Sequence, residues 1–523
     1  MGDRLDRGFG NWVTLHSKRY PESVAYIDGE TGSVRTYAQL EERTNALADV
    51  LAKRGTARGD RVALVTMNSI ETMEILVAVA KLGAIAVPIN YRLTSKEIEF
   101  ILLDSGASSL FFSMPFLDLV NDACTDETRV RDRFVVPDSE MRLTGKSSDL
   151  EAMITRGSSE RVVREVNEAD ICVVMYTSGT TGKPKGAMLS HGNFVWNAVH
   201  SLGLGDGWTA GDRTISAAPL FHIGALGVNT LPFLFIGGSC VVLENFVPAN
   251  WISSVEKYGV TNAFLVPVMW SAVLGDASFG AGQVRSLRFA VSGGAPCPVA
   301  VIEAMRELGV PFTEGLGMTE TSPLCAVLRQ DEVLRKKGTV GKLVQQVEFR
   351  IEDDAGEDVG VGRVGELLVR GPNVFSGYWN NPKATSEALR DGWFHTGDLA
   401  KVDEEGFYTL VDRKKDMVIT GGENVYSTEV ESVVRGHPDV RDVAVIGIPD
   451  EKWGEAVTAV VVRAEGSSLT PEELIAWSRR SLAGFKVPKS VEYVDVLPRN
   501  ATGKVLKRTL RAERTGSEMS VRR

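Results

Sequence analysis

Between Thr36 and Phe112 one alternation repeats along the chain: a segment with apolar residues at helical spacing, then a short run of consecutive apolar residues. Tyr37, Leu40, Thr44, Leu47 and Leu51 share one helical face behind Thr36-Tyr-Ala-Gln39, which reads as a capping box. Residues 62–65 then read as a strand, 71–82 as a helix, 84–87 as a strand, 95–103 as a helix and 110–112 as a strand. A strand that is apolar on both faces has to be covered on both, and interleaved helices supply that cover. The pattern predicts an α/β chain built on parallel sheet with helices packed on its faces.

At 523 residues the chain can hold about three or four structural units, each with its own core. Its formal charge of −10 offers no overall electrostatic footprint for nucleic acid or an anionic membrane, so neither is expected as a partner. Any site for a polyanionic small molecule has to be basic locally. The start, Met1-Gly-Asp-Arg-Leu-Asp6, lacks the apolar core of a signal peptide, and Asp6 stands where a myristoylation motif requires Ser or Thr. The apolar stretch 231–243 is too short and too interrupted by glycine to span a bilayer, so a cytoplasmic location is expected. Cys124, Cys172, Cys240, Cys297 and Cys325 form no C-x-x-C pair, which indicates neither a zinc site nor a disulfide framework, and Cys172 is expected as a strand residue.

Directly after the apolar run 171–175 comes Tyr176-Thr-Ser-Gly-Thr-Thr-Gly-Lys-Pro-Lys-Gly186. Gly179, Gly182 and Gly186 permit positive φ and close approach, so that successive N–H groups can turn toward an anion. Thr177, Ser178, Thr180 and Thr181 add hydroxyls, and Lys183 and Lys185 add positive charge. Only two residues separate Gly179 from Gly182, and Pro184 follows Lys183 where a Walker A loop requires Ser or Thr, which argues against a P-loop NTPase. The segment reads as a phosphate-gripping loop; a polar surface loop is the plain alternative.

This loop resembles, residue for residue, the signature of adenylate-forming enzymes, the superfamily of acyl-CoA synthetases, amino-acid adenylation domains and beetle luciferases. The resemblance continues in order through Ala218-Pro-Leu-Phe-His-Ile-Gly224, Ser292-Gly-Gly-Ala-Pro296, Gly317-Met-Thr-Glu320, Gly392-Trp-Phe-His-Thr-Gly-Asp398, Asp412-Arg-Lys-Lys-Asp416, Gly421-Gly-Glu-Asn-Val-Tyr426 and Pro498-Arg-Asn-Ala-Thr-Gly-Lys504. It implies a large N-terminal domain of several parallel-sheet α/β layers over residues 1–411, which binds AMP and the acyl group. A hinge at 412–416 with Lys415 as the turning residue follows, then a small mobile α+β lid domain at 417–523. The implied chemistry activates a carboxylate as acyl-AMP with release of pyrophosphate and then transfers the acyl group to a thiol. ATP, Mg²⁺ and coenzyme A are the implied small-molecule partners, and a homodimer is a reasonable expectation for such an enzyme.

By the same resemblance, Thr177, Ser178, Gly179, Thr180, Thr181, Gly182 and Lys185 wrap the β- and γ-phosphates. Thr319 reaches the α-phosphate, and Glu320 is the Mg²⁺ ligand. Gly293, Gly294, Ala295, Gly315 and Leu316 line the nucleotide, Asp398 and Arg413 hold the ribose, and Gly421 and Gly422 line the pantetheine channel. Lys504 is the catalytic lysine, a compact charge for the developing pentavalent phosphorus, and His222 positions and gates the acyl substrate. From the residues alone, each has a plainer alternative. Glu320 can cap a helix, Asp398 can be a turn residue after Gly397, His222 can be a satisfied core histidine, and the charged run 412–416 can be a solvated turn.

Two departures and one absence refine the reading. Leu316 stands where the signature usually carries an adenine-stacking aromatic, and Leu316→Tyr is expected to tighten ATP binding if adenine lies there. Ser427 stands where proline is common. Amino-acid adenylation domains commonly carry an Asp directly after the position of Phe221, where this chain has His222, so a free amino acid is not expected as substrate; no carrier segment is seen after Lys504, so a free thiol is the expected acceptor. Together with Thr428-Glu-Val-Glu431 and Asp450-Glu-Lys-Trp-Gly454, these features resemble the acyl-CoA synthetase branch. The expected pocket segments 221–228, 264–269 and 292–295 carry no fixed charge, which favours an apolar acid. Medium- or long-chain fatty acids come first in this order of expectation, aryl or arylalkanoic acids second and very short acids third. A luciferase-like monooxygenase or a catalytically silent nucleotide binder would share the motifs.

Overall fold

The computed structural model describes residues 6–144, 148–177, 184–499 and 505–515. By contact density it forms two compact units, Met1–Phe349 with Val369–Phe394, and Arg350–Leu368 with His395–Arg523. A hinge is defined by motion and a compact unit by contacts, so this division and the expected 412–416 hinge describe different properties.

The larger unit holds two sheets. In the six-stranded one, strands Arg61–Val65, Ile85–Pro88, Ser109–Ser113 and Asp132–Val136 run parallel, and Ile171–Thr177 joins parallel to Ile85–Pro88. Helices Tyr37–Lys53, Ile70–Lys81 and Ser95–Ser105 fall where the alternation predicts them. The Thr36 capping box closes as read: its hydroxyl accepts from the Gln39 N–H while the Gln39 side chain accepts from the Thr36 N–H. Ala63, Val65, Val87, Leu110 and Phe112 meet Ile98, Ile101 and Leu102 in one buried cluster, which is why these strands read as uninterrupted apolar runs. Cys172 is a buried strand residue, and none of the five cysteines is in a disulfide.

The nine-stranded sheet is parallel through its centre, where Asn262–Leu265, Phe289–Gly293 and Phe312–Gly317 lie side by side. Strand Leu324–Leu328 returns antiparallel to Phe312–Gly317. Asn68 ties the two sheets together: its side chain donates to the carbonyl of Ala218 at 2.9 Å and accepts from the N–H of Leu220 at 2.8 Å. The start of the Leu220-Phe221-His222 segment is thereby fixed at the junction of the sheets.

In the smaller unit the hairpin Val440–Asp450 with Gly454–Arg463 forms the centre of an antiparallel sheet, joined in parallel by Ser490–Tyr493. Helices Ser427–Arg435 and Pro471–Ser478 cover it through Val430, Val434 and Leu474. The fold is thus mixed α/β, with a large parallel-sheet part and a smaller C-terminal part. Among the described residues no helix is long and apolar enough to cross a membrane.

Candidate active site

Strands Ile171–Thr177 and Lys185–Ser190 form an antiparallel hairpin with Thr177 opposite Lys185 and Tyr176 opposite Gly186. Ser178, Gly179, Thr180, Thr181, Gly182 and Lys183 fall between these strands, outside the described residues, as does Lys504. The strand pairing fixes both ends of the glycine-rich segment. Gly186 serves close approach: a β-carbon there would lie 2.6 Å from Val174 Cγ1 and 3.0 Å from Tyr176 Cζ.

Glu320 sits in a 3₁₀ turn, Thr319–Thr321, directly after strand Phe312–Gly317. Its carboxylate Oε1 accepts a hydrogen bond from the Tyr378 hydroxyl at 2.9 Å, and its carbonyl accepts from the Phe375 N–H at 2.9 Å. The capping alternative for Glu320 therefore fails, because its carboxylate is engaged across the chain and heads no long helix. Burial and the neighbouring carboxylate raise the Tyr378 phenol above its usual range and keep it protonated. Lys185 Nζ lies 5.2 Å from the centre of the same ring. Tyr378 thus brings Lys185, at the end of the glycine-rich segment, and the acidic turn to one place. No motif in the sequence singled it out; its signal is confined to its place in Gly377-Tyr-Trp379.

The glycines expected to line the nucleotide divide by physical role. Gly294 adopts φ +86°, which a side chain would strain, and it and Ala295 are exposed. Gly293 is buried by strand pairing, since a β-carbon there would lie 3.0 Å from the Gly315 carbonyl. Gly315 meets Leu324 in the same way, at 3.0 Å. Leu316 is 8% exposed and pairs with Ala326 across the sheet.

His222 follows Phe221, whose ring packs edge-on against Tyr91. Its Nε2 is buried, and among the described residues it has no hydrogen-bond partner. A core histidine satisfied at both ring nitrogens would have a partner at Nε2 as well. Burial, with Arg92 nearby, pushes the imidazole down to about 4, so it is neutral at physiological pH. From Ile223 the chain enters a short helical stretch that widens into a π-turn at Leu226–Thr230 and returns to α-helix at Leu231–Ile236. π-Turns are rare and concentrate at functional sites.

In the smaller unit Asp398 lies directly across the sheet from Arg413 and pairs with its Nε at 3.0 Å. Asp398 is 5% exposed and lies within strand Trp393–Val402, which replaces the turn-residue alternative with a strand position. The charged run 412–416 is only partly a solvated turn. Asp412 is buried, and its Oδ2 accepts both the N–H and the hydroxyl of Ser427, at 2.5 and 2.8 Å, at the start of helix Ser427–Arg435. Proline at 427 has no N–H to give, so the serine is matched to Asp412. Arg511 pairs with Asp416 at 3.0 Å, and Lys415 is exposed. Gly421 and Gly422 adopt φ +59° and +81°, with the Trp453 ring against Gly421. Here glycine answers a left-handed backbone.

The donor set suits Mg²⁺ held jointly with a nucleotide: Glu320 supplies a single carboxylate, and among the described residues no cluster of three or more metal-ligating side chains forms a cage. Mg²⁺ characteristically takes one or two carboxylates and completes its shell with phosphates and water.

Two family models match the chain, the AMP-binding enzyme model over residues 13–379 and the AMP-binding enzyme C-terminal domain model over 429–504. A feruloyl-CoA synthase from an Amycolatopsis species is 41% identical over 97% of this chain and 99% of its own length. A long-chain-fatty-acid–CoA ligase from Yersinia pestis is 37% identical over 95% of this chain and 92% of its own. The crystal structure of ATP-bound MatB from Rhodopseudomonas palustris superposes with a TM-score of 0.89 at 31% identity, covering 98% of this chain and 99% of that one.

Proposed function

The chain belongs to the AMP-binding enzyme family and is an AMP-forming acyl-CoA synthetase that uses ATP, Mg²⁺ and coenzyme A, and on that premise we propose that its acid is an apolar aryl acid of the arylpropenoic or arylalkanoic kind. The observation that carries this is Phe264. Its ring fills the space between two pocket segments: a β-carbon on Gly224 would lie 3.2 Å from its Cζ, and one on Gly293 3.5 Å from its Cε2. On this reading the buried Phe264 ring, packed against Gly224 and Gly293, is an aromatic wall of the acyl site. A planar aryl group stacks on such a wall, with a gain of about 0.5–1.5 kcal/mol beyond its buried area. On this reading a long alkyl chain would have to displace the ring. This proposal puts aryl acids ahead of the fatty acids that the sequence reading placed first, and the 41% identity to a feruloyl-CoA synthase supports it.

In the proposed reaction the acid's carboxylate oxygen attacks the α-phosphorus of ATP, the bond to pyrophosphate breaks, and acyl-AMP forms. The thiol sulfur of coenzyme A then attacks the acyl carbonyl, the C–O bond to AMP breaks, and the thiol proton passes to solvent. A carboxylate is a poor acyl donor, and AMP is the leaving group that makes the second step feasible. The protein's part is positioning and charge neutralisation. Thr177 and Lys185 hold the base of the phosphate loop, and Thr319 faces the α-phosphate. Glu320, oriented by Tyr378, is the residue that would hold Mg²⁺, which supplies charge neutralisation on the phosphates. Asp398 accepts from the ribose hydroxyls as an ionised carboxylate beside Arg413. Lys504 neutralises the pentavalent phosphorus, and neutral His222 lines the acyl entry without serving as a base.

The test is a comparison of kcat/KM for a hydroxycinnamic acid and for saturated acids of increasing length, in the native protein and in Phe264→Ala. The native enzyme is expected to prefer the aryl acid by about tenfold or more, and removing the ring is expected to move the preference toward longer alkyl acids. A native preference for long-chain acids, unchanged by Phe264→Ala, would assign the enzyme to fatty acids.

A further inference from the structure

The π-turn beside the acyl pocket and the turn that carries Glu320 are joined through one fully buried side chain, Asn197. In the register of the Leu226–Thr230 π-turn, the Leu231 N–H donates to the Leu226 carbonyl. The next amide in that register, the one for the Gly227 carbonyl, belongs to Pro232, which has no N–H. Asn197 supplies the missing donor, its Nδ2 lying 2.5 Å from the Gly227 oxygen. Its Oδ1 accepts from the N–H of Leu324 at 3.1 Å, just past the Glu320 turn. That turn is held on its other side by Asn373, whose Nδ2 donates to the carbonyls of Thr321 and Leu324. The two turns also touch directly, since a β-carbon on Gly227 would lie 2.5 Å from Pro323 Cδ.

We infer that Asn197 is a positioning residue that couples acyl binding to nucleotide binding, by making the π-turn and the Glu320 turn move as one piece. The inference rests on the reading of residues 221–228 as an acyl-pocket wall, but not on which acid fills the pocket. A buried amide with 0% exposure that satisfies one orphan carbonyl and one orphan N–H on two separate segments transmits displacement, because losing either bond strands a buried polar group. An acid that seats against the π-turn therefore sets the position of Glu320.

The coupling is measurable as a linkage factor: the affinity of α,β-methylene-ATP with Mg²⁺, determined by calorimetry with and without a saturating concentration of whichever acid the native enzyme turns over fastest. The native protein is expected to bind the nucleotide at least about fivefold more tightly when the acid is present. In Asn197→Ala that factor is expected to fall to near one, with affinity for the nucleotide alone unchanged. Pro232→Ala provides an N–H in register with the Gly227 carbonyl, so Asn197→Ala/Pro232→Ala is expected to recover part of the factor. Should Asn197→Ala fail to fold, Asn197→Asp keeps the acceptor for Leu324 while opposing the Gly227 carbonyl, and it too is expected to lose the factor. No linkage in the native protein, linkage retained in the variants, or equal loss of nucleotide affinity with and without acid would each overturn the inference. Turnover of an alkyl instead of an aryl acid leaves the linkage test intact and bears only on the substrate proposal.

Discussion

At the residue scale the informative position is Tyr378, which holds the Glu320 carboxylate at 2.9 Å and lies under Lys185. A hydrogen bond to a charged group contributes about 1.5–3 kcal/mol. Tyr378→Phe is therefore expected to lower kcat/KM for MgATP by about tenfold or more while leaving KM for the acid unchanged, as steady-state kinetics with each substrate varied would show. An unchanged kcat/KM for MgATP would remove Tyr378 from the site. Glu320 was legible because it belongs to a signature; Tyr378 was not, because its role is created by a return of the chain 58 residues later. The same distance in sequence hid the match between Ser427 and Asp412, which strand pairing and the helix start bring together. His222 illustrates the opposite case: its motif was visible, but only its surroundings show a neutral ring whose Nε2 has no partner among the described residues.

At the element scale, helix and strand placements between Thr36 and Phe112 agree with the sequence because periodicity there is uninterrupted and capping is local. The π-turn at Leu226–Thr230 was not legible, since a widened helix follows from tertiary hydrogen bonds such as Asn197 to Gly227. The N-terminal helix Gly10–Arg19 depends on another such contact. The Phe9 N–H donates to His191 Nδ1 at 3.2 Å, which requires the proton of that ring to sit on Nε2. Burial pushes His191 down to about 4, against about 6.5 in an unfolded chain. Because the folded value is depressed for a base, the unfolded chain binds more protons between these values. The stabilisation is fully present above pH 6.5 and is lost as pH falls toward 4, by about 3 kcal/mol in total. In urea titrations the stability gap between the native protein and His191→Gln is expected to be wide at pH 7 and to narrow at pH 4.5. An equal gap at both pH values would show that the ring acts through packing alone.

At the scale of the whole molecule, the two family models together cover most of the chain, and the order of their motifs was legible from end to end in the sequence. The substrate was not, because on the proposed reading the acyl site is bounded by Phe264, whose packing against Gly224 and Gly293 joins separate elements. On the proposed assignment of Lys504, Lys504→Ala is expected to abolish formation of acyl-AMP while leaving transfer from pre-made acyl-AMP to coenzyme A largely intact. Equal loss of both half-reactions would place that lysine elsewhere in the chemistry.

The most direct measurement is mass spectrometry of the purified protein with ATP, Mg²⁺ and a mixture of hydroxycinnamic, phenylacetic and C12–C16 acids at equal concentration, with and without coenzyme A. The account predicts an aryl acyl-AMP bound to the enzyme without coenzyme A, and conversion of that species to the aryl acyl-CoA and AMP when coenzyme A is added. Predominant alkyl acyl-AMP and alkyl acyl-CoA, or an acyl-AMP that persists in the presence of coenzyme A, would contradict it.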